Sequence, residues 1–472
     1  MASPAARQLT APAFRLVWTA SFPRDRLPFA LSSPVVAQLP RGPAAVVGDR
    51  SGHVFAVYLA PRANGESTVA WSVTTRGPHG PVGVDSSPST RDGIVFFGIG
   101  WAGERGVGGY EAINPNGSRR WFRLAVNPVT DPTRDAGVAA GLTVGVLQSQ
   151  IAVVGPSLGQ RTYVLNASSG ALLRGFPWFQ ADTEYSTAAV ADVEGNGQNQ
   201  IIEGGNTTAG ISYGTRYSDG GEIRILSEGG RGRNLRHPGS GLYCQYSTDQ
   251  GIDSSPAVGD IFGGRPGIVV GTSAERAHKK TTDDVIAINP SCRLVWETRL
   301  DGVTLSSPAL ADLLGNGSLQ VVEGTESGSV YCLDAANGAI YWKTRVRGAV
   351  IGGVVTADLG QGHQDLVVPT TTGAFILDGR TGVVVATLEN DVGLQNSPLV
   401  TDDPNGTIGI TVAGYSGSRG SQHAVIEHFE IVGSSGADVN AIGTWPEFHH
   451  DPELSGNAGL AVAASAPRRV GR

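Results

Sequence analysis

Charge, and lysine above all, is what this 472-residue chain lacks: charged residues form 16% of it, and only three of its 35 basic residues are lysine. The formal net charge is -7 and neither half is strongly basic, which argues against nucleic acid as a partner. Methionine occurs once, at the initiator position. The three cysteines, Cys244, Cys292 and Cys332, show no C-x-x-C spacing. Too few and too far apart for a disulfide framework or a zinc site, they are read as incidental thiols. No run of 18 apolar residues occurs, so no transmembrane segment is expected. The opening MASPAARQLTAPAFR has no apolar core, so no signal peptide is visible. The A/E/K/L/R-rich signature of coiled coils and helix bundles is missing. So are phosphate-loop, G-x-S-x-G and H-E-x-x-H motifs.

Glycine, by contrast, occurs 67 times, about twice the usual share, and it punctuates a repeat. A short apolar segment carrying Ser-Ser-Pro recurs as LSSPVVAQL at 31, VDSSPST at 84, IDSSPAVGD at 252, LSSPALAD at 305 and LQNSPLVTD at 394. Looser copies are DAGVAAGL at 135, YSTAAVAD at 185 and IGGVVTAD at 351. From Ser33 to Ser397 this makes seven steps over 364 residues, a mean of 52. Each copy leads through an Asp/Gly/Asn turn into a β-branched run ending in Gly, such as QVVEGT at 320. An alternating strand, an Asn-Gly-type turn and an aromatic-bearing strand follow, as in GSVYCLDAANGAIYWKT at 328–344. Period-2 patterning between tight turns is a β signal, and no 3.6-residue stripe competes with it. Four strands per unit, eight times over, predict an all-β, single eight-bladed β-propeller of four-stranded antiparallel blades, with seven blades as the alternative.

A ring has to close. The segment FRLVWTASF (14–22) matches the fourth strand RLVWETRL (293–300), while the last unit, through HAVIEHFEIVG (423–433), lacks one. Residues 14–22 are therefore expected to complete the eighth blade. The propeller is expected to span 14–457, with residues 1–13 and 458–472 as disordered tails.

The stretch LDAANGAIYW (333–342) resembles the PQQ-like propeller repeat, in which a turn is followed by a docking tryptophan. ADVEGNGQNQIIEGG (191–205) is similar to an FG-GAP or VCBS repeat, with its Asp-rich loop before a strand. WPEFHHDPELSGN (445–457) is similar to a block near the end of bacterial propellers of these kinds. The resemblance spans nearly the whole chain and implies the fold, together with an extracellular or cell-envelope setting. It leaves function open, because such propellers host unrelated roles.

Asp192, Glu194, Asn196, Gln198 and Gln200 fall at alternate positions of a Gly-centred loop, a pattern that can present oxygens to calcium. A second loop offers Asp312, Asn316, Ser318 and Gln320 but has Leu314 where a ligand belongs, and a third, Asp358 to Asp365, is one residue short. The competing reading is a turn whose Asp caps its own backbone. PQQ is not expected, because the quinoprotein site that the resemblance brings to mind needs a pair of adjacent cysteines.

The segments 98–110, 206–221, 272–284, 414–423 and 237–251 are read as long loops on one face of the ring, and function concentrates on such loops. One repeat, starting 68 residues before the next, carries Tyr213, Arg216, Tyr217, Asp219, Tyr243, Tyr246 and Asp249. Tyrosine and arginine suit sugar rings and protein hot spots. Asp85, Asp253 and Glu184 stand just before first strands, where acids could ring the channel entrance. His449, His450 and Asp451 are read as closure packing, because neighbours on a strand point oppositely. The expected function is a non-enzymatic, monomeric binding or adhesion module for a glycan or protein. A polysaccharide-lyase-like enzyme and an envelope-assembly scaffold are the alternatives.

Overall fold

The computed structural model describes residues 12–22, 29–77, 80–100, 107–126, 136–180, 182, 184–207, 220–229, 241–272, 284–388, 392–417, 422–434, 439, 441 and 443–459. Regular structure among them is entirely β, and it forms eight four-stranded antiparallel sheets arranged as an eight-bladed propeller. The inner strands of blades 1 to 8 are Val35–Leu39, Ser89–Arg91, Thr143–Leu147, Ala189–Ala191, Ala257–Asp260, Ala309–Ala311, Val355–Asp358 and Leu399–Asp402. The outer strand of blade 8 is Phe14–Phe22, paired antiparallel with His423–Ile431. The first and last parts of the ring are thus zipped into one sheet.

Three devices join blade to blade, and each explains part of the repeat. In blades 1, 2, 4, 5 and 6 a glycine at or near the end of the second strand lets the next blade approach. A Cβ on Gly48 or Gly98 would lie 2.3 Å from a methyl of Val84 or Val138, and one on Gly324 2.3 Å from Val350. The two hydroxyls of Ser-Ser-Pro have separate jobs. The first accepts the N–H of that glycine within its own blade, as Ser32 does from Gly48 (3.0 Å) and Ser86 from Gly98 (2.9 Å). The second reaches sideways: Ser87 Oγ accepts the N–H of Ser33, Ser255 Oγ that of Thr187, Ser307 Oγ that of Ser255, and Ser33 Oγ that of Ser397. The motif is a clamp running around the ring.

The third device is at the outer edge. Trp18, Trp121, Trp296 and Trp342, on fourth strands, donate Nε1–H to the carbonyls of Leu59, Ala167, Ala335 and Gly379, each the residue after the third strand of the next blade. The turns covered by Trp121, Trp296 and Trp342 need glycine twice over, for a left-handed φ (74° at Gly338) and because a Cβ there would clash with the ring, 2.6 Å from it in the case of Gly338 and Trp296. Between blades 4 and 5 the tryptophan position is Cys244, and it forms a disulfide with Cys292 in the facing turn (Cα–Cα 5.8 Å). Two of the three cysteines are therefore a cross-link and not incidental thiols. Only Cys332 is free, and it is buried.

The segment 443–458 lines the channel and makes one circuit of it. Inner-strand N–H groups donate to it in blade order: Asp312 to Gly443 O, Thr356 to Trp445 O, Val400 to Pro446 O, Thr90 to Pro452 O, Val144 to Glu453 O, Val190 to Ser455 O and Val258 to Gly456 O. Blade 1 contributes Val36, whose N–H reaches Glu447 Oε2 at 3.4 Å. The circuit ends as a short parallel strand, Asn457–Ala458, on blade 5. The two histidines of this belt are not on a strand. They adopt left-handed φ of 58° and 87° in a turn where His449 lies within hydrogen-bond distance of Leu454 O and Pro256 O.

Trp18 is 3% exposed and seals the junction of blades 8 and 1. Trp18→Ala is expected to cost roughly 3–5 kcal/mol. Trp18→Phe, which keeps the ring and loses the bond to Leu59, should cost about 1 kcal/mol more than a plain ring swap. Denaturant unfolding of both variants checks this, and equal losses would refute the docking role.

Candidate functional site at the channel mouth

Because each inner strand starts two residues after its second clamp position, one residue per blade projects just above the hydroxyl ring. In blade order these are Leu31, Asp85, Ala139, Tyr185, Asp253, Leu305, Ile351 and Gln395, and all eight line a cavity of about 220 Å³. Phe448 of the belt lines the same cavity from below. The result is a cup with an uneven rim. Blades 2 to 5 present two acids, a tyrosine and Ala139, whereas blades 6, 7 and 1 present Leu305, Ile351 and Leu31, with Gln395 of blade 8 between the last two.

Both rim acids are held. Arg50 grips Asp85 with two hydrogen bonds, Nε to Oδ1 (2.7 Å) and Nη2 to Oδ2 (2.8 Å), and Asn206 Nδ2 donates to Asp253 Oδ1 (3.2 Å). Glu184 does not join them. The residue equivalent to Asp85 and Asp253 is its neighbour Tyr185, and Glu184 is fully buried behind the rim. There it meets Glu203 and Arg224 in blade 4. A Cβ on Gly205 would lie 3.3 Å from Arg224 Nη1 and 3.4 Å from the Glu184 carboxyl carbon. Arg224 Nη2 donates to Gln180 O and Thr162 Oγ1 to Glu203 Oε2. Burial, then the Glu203 charge, hold Glu184 well above the usual carboxylate range, and burial pushes Glu203 up to about 6 against the pull of Arg224.

Tyr243 and Tyr246 are not on a loop of this face. They lie on the outer strand Leu242–Thr248 of blade 4, Tyr246 packed on the core between blades 4 and 5 and Tyr243 on the outer surface. The apolar alternation of LYCQYST marks it as a strand, which the loop reading of 237–251 overlooked. Tyr213, Arg216, Tyr217 and Asp219 fall outside the described residues. The apolar half of the rim was missed by sequence reasoning because it searched for charge. Lining up the eight copies on their Ser-Ser-Pro core would have exposed it.

The proposed calcium loops serve their own backbones. Asp192 accepts the N–H of Asn196 (3.0 Å) and Gly197 (2.7 Å), Asn196 Oδ1 that of Gln198, and Gln200 Oε1 that of Val193. Asp312, Asn316 and Gln320 repeat this pattern bond for bond. Glu194 and Gln198 are exposed. Four side-chain oxygens per loop are thus committed to backbone amides, a donor set that suits a self-capped turn.

Site and scaffold together define a class: an eight-bladed propeller whose channel is blocked by its own chain and open as a cup on one face. No protein-family model and no curated protein matches the sequence. Among solved structures it is similar to the V. cholerae biofilm matrix protein Bap1 (TM-score 0.63, 13% identity, over 96% of this chain and 100% of that one). It is also similar to BamB from Moraxella catarrhalis (TM-score 0.54, 14% identity, 90% and 99%) and to Saccharomyces cerevisiae Sqt1 (TM-score 0.57, 10% identity, 89% and 99%). At these identities the likeness is one of fold. No helix among the described residues is long and apolar enough to cross a membrane.

A buried carboxyl with a raised pKa holds its proton more tightly folded than unfolded. The stability it supports is complete below about pH 4.5 and is lost as pH rises through the folded value. For Glu203 that shift, from 4.5 to about 6, corresponds to about 2 kcal/mol. The stability of Glu203→Gln minus that of the parent should therefore climb by this amount between pH 4.5 and 7 and then level off. Unfolding curves at five pH values test it, and a flat difference would contradict it. The capping geometry of the 192 loop predicts that Asp192→Ala loses about 1 kcal/mol, equally in excess chelator and in millimolar calcium. A calcium-induced rise in Tm that Asp192→Ala removes would assign metal to that loop instead.

Proposed function

We propose that this protein is a non-catalytic binding module that captures a glycan or protein partner in the cup at its channel mouth. The observation that carries the reading is the split rim over a closed floor. An aliphatic arc facing a Tyr/Asp arc suits a ligand group with one apolar face and one hydrogen-bonding face, such as a sugar ring or an amphipathic side chain. The rim carboxylates are already gripped by Arg50 and Asn206, which favours positioning of a ligand over proton transfer. A setting outside the cytoplasm is supported by the Cys244–Cys292 bond, since disulfides persist in oxidising compartments. The likeness in fold to a biofilm matrix protein agrees with that setting.

The test is binding of the intact chain to an immobilised glycan array and to cross-linked envelope extracts, beside Tyr185→Ala and Leu305→Asp. Capture that falls at least tenfold in both variants supports the cup. Capture that survives both would move the site elsewhere, and release of oligosaccharides from a bound polysaccharide would replace the binding reading with an enzymatic one.

A further inference from the structure

In blades 4 and 6, the second strand opens with Gln200 and Gln320, whose side chains close the preceding turn. Each faces its inner-strand partner, Ala191 or Ala311, and across the other edge Ser227 or Asp334. Blade 7 breaks this pattern. Its turn is one residue shorter and is capped by Asp358 alone, whose Oδ1 accepts the N–H groups of Gly360, Gln361 and Gly362. The position of the capping glutamine is Asp365, paired with Ala357 on one side and directly opposite Asp378 on the other.

Two carboxylates facing each other across an antiparallel ladder repel, and both are buried, with side chains 2% and 4% exposed. The imidazole of His363 reaches between them. Its Nε2 is 3.4 Å from Asp365 Oδ1 and 3.0 Å from Asp378 Oδ2. Asp378 Oδ1 is fixed by the N–H (2.8 Å) and Oγ1 (2.7 Å) of Thr381, which leaves Oδ2 for the cluster. Asp365 Oδ2, by contrast, is buried with no hydrogen-bond partner. One donor atom from each of the three residues falls within 4.8 Å of the others.

The imidazole–carboxylate spacings serve a hydrogen bond between His363 Nε2 and Asp378 Oδ2, and they equally fit donors around a small dication. A metal about 2.1 Å from each donor in a tetrahedral shell sets donors about 3.4 Å apart. One imidazole and two carboxylates form a mixed N/O set of the kind taken by zinc and its first-row neighbours, not the all-oxygen cage of calcium. We propose that His363, Asp365 and Asp378 form a divalent transition-metal site in blade 7, with Thr381 orienting Asp378 behind it. A shell of three protein donors leaves one position for water or a ligand, and no part of the site belongs to the channel mouth.

Chelator-stripped protein should be titrated with zinc chloride by calorimetry and with cobalt(II) by visible absorption. The expected result is one equivalent of zinc, a rise in Tm on loading, and the intense visible bands of low-coordinate cobalt. Binding should weaken at least tenfold in the near-isosteric Asp365→Asn and in His363→Ala, and stay unchanged in Asp192→Ala. Absence of zinc binding, equal binding by parent and both variants, or the pale spectrum of hexahydrated cobalt would overturn the site. In the first case His363 would stand as a simple bridge between two acids. Should either variant fold poorly, the cobalt spectrum and Tm shift of the parent chain decide alone.

Discussion

An inner propeller strand has an edge with no neighbour, and its N–H groups face a channel too narrow to be treated as bulk solvent. The structure depends on how those donors are satisfied. Here one covalent segment, residues 443–458, runs past all eight inner strands in order and accepts a hydrogen bond from each. The hydroxyl clamp just above it and the tryptophan docks at the periphery hold blades pairwise. The belt alone touches every blade at once, and by filling the channel it turns a tube into a cup.

The rest of the architecture is local repetition of small steric rules. A β-branched side chain from one blade occupies the space that a side chain on the preceding blade's glycine would need. That is why so glycine-rich a chain still packs a dense core. The rule is directional, each blade leaning on the next, and the pairing of Phe14–Phe22 with His423–Ile431 closes the series into a ring, with the Ser33–Ser397 clamp beside it.

What could be read in the sequence was whatever recurs. Blade number, strand order and the closing strand follow from Ser-Ser-Pro, the strand-end glycines and the tryptophan strands, because eight noisy copies average out. Features that occur once were harder. The belt has no second copy to be compared with, and its histidines sit in left-handed turns that no period describes. Cys244 has no sequence neighbour that marks it as a cross-link; only the strand register places it at a tryptophan position, opposite Cys292. Glu184 was placed on the rim because it is an acid near the right spot, yet a shift of one residue in a strand approach reverses the side faced. His363 escaped notice because its two carboxylate neighbours come from different strands.

The order in which the belt visits the blades has a consequence for synthesis. Ribosomes deliver the chain from its N-terminus, so each blade can pair with the one before it as it emerges, but the tether common to all eight arrives only after residue 443. Until then the nascent ring is a stack of neighbours with an unlined bore. Any translocation or quality-control machinery that senses unsatisfied strand edges would therefore find them in every product interrupted before that point, and would lose sight of them in a single late step.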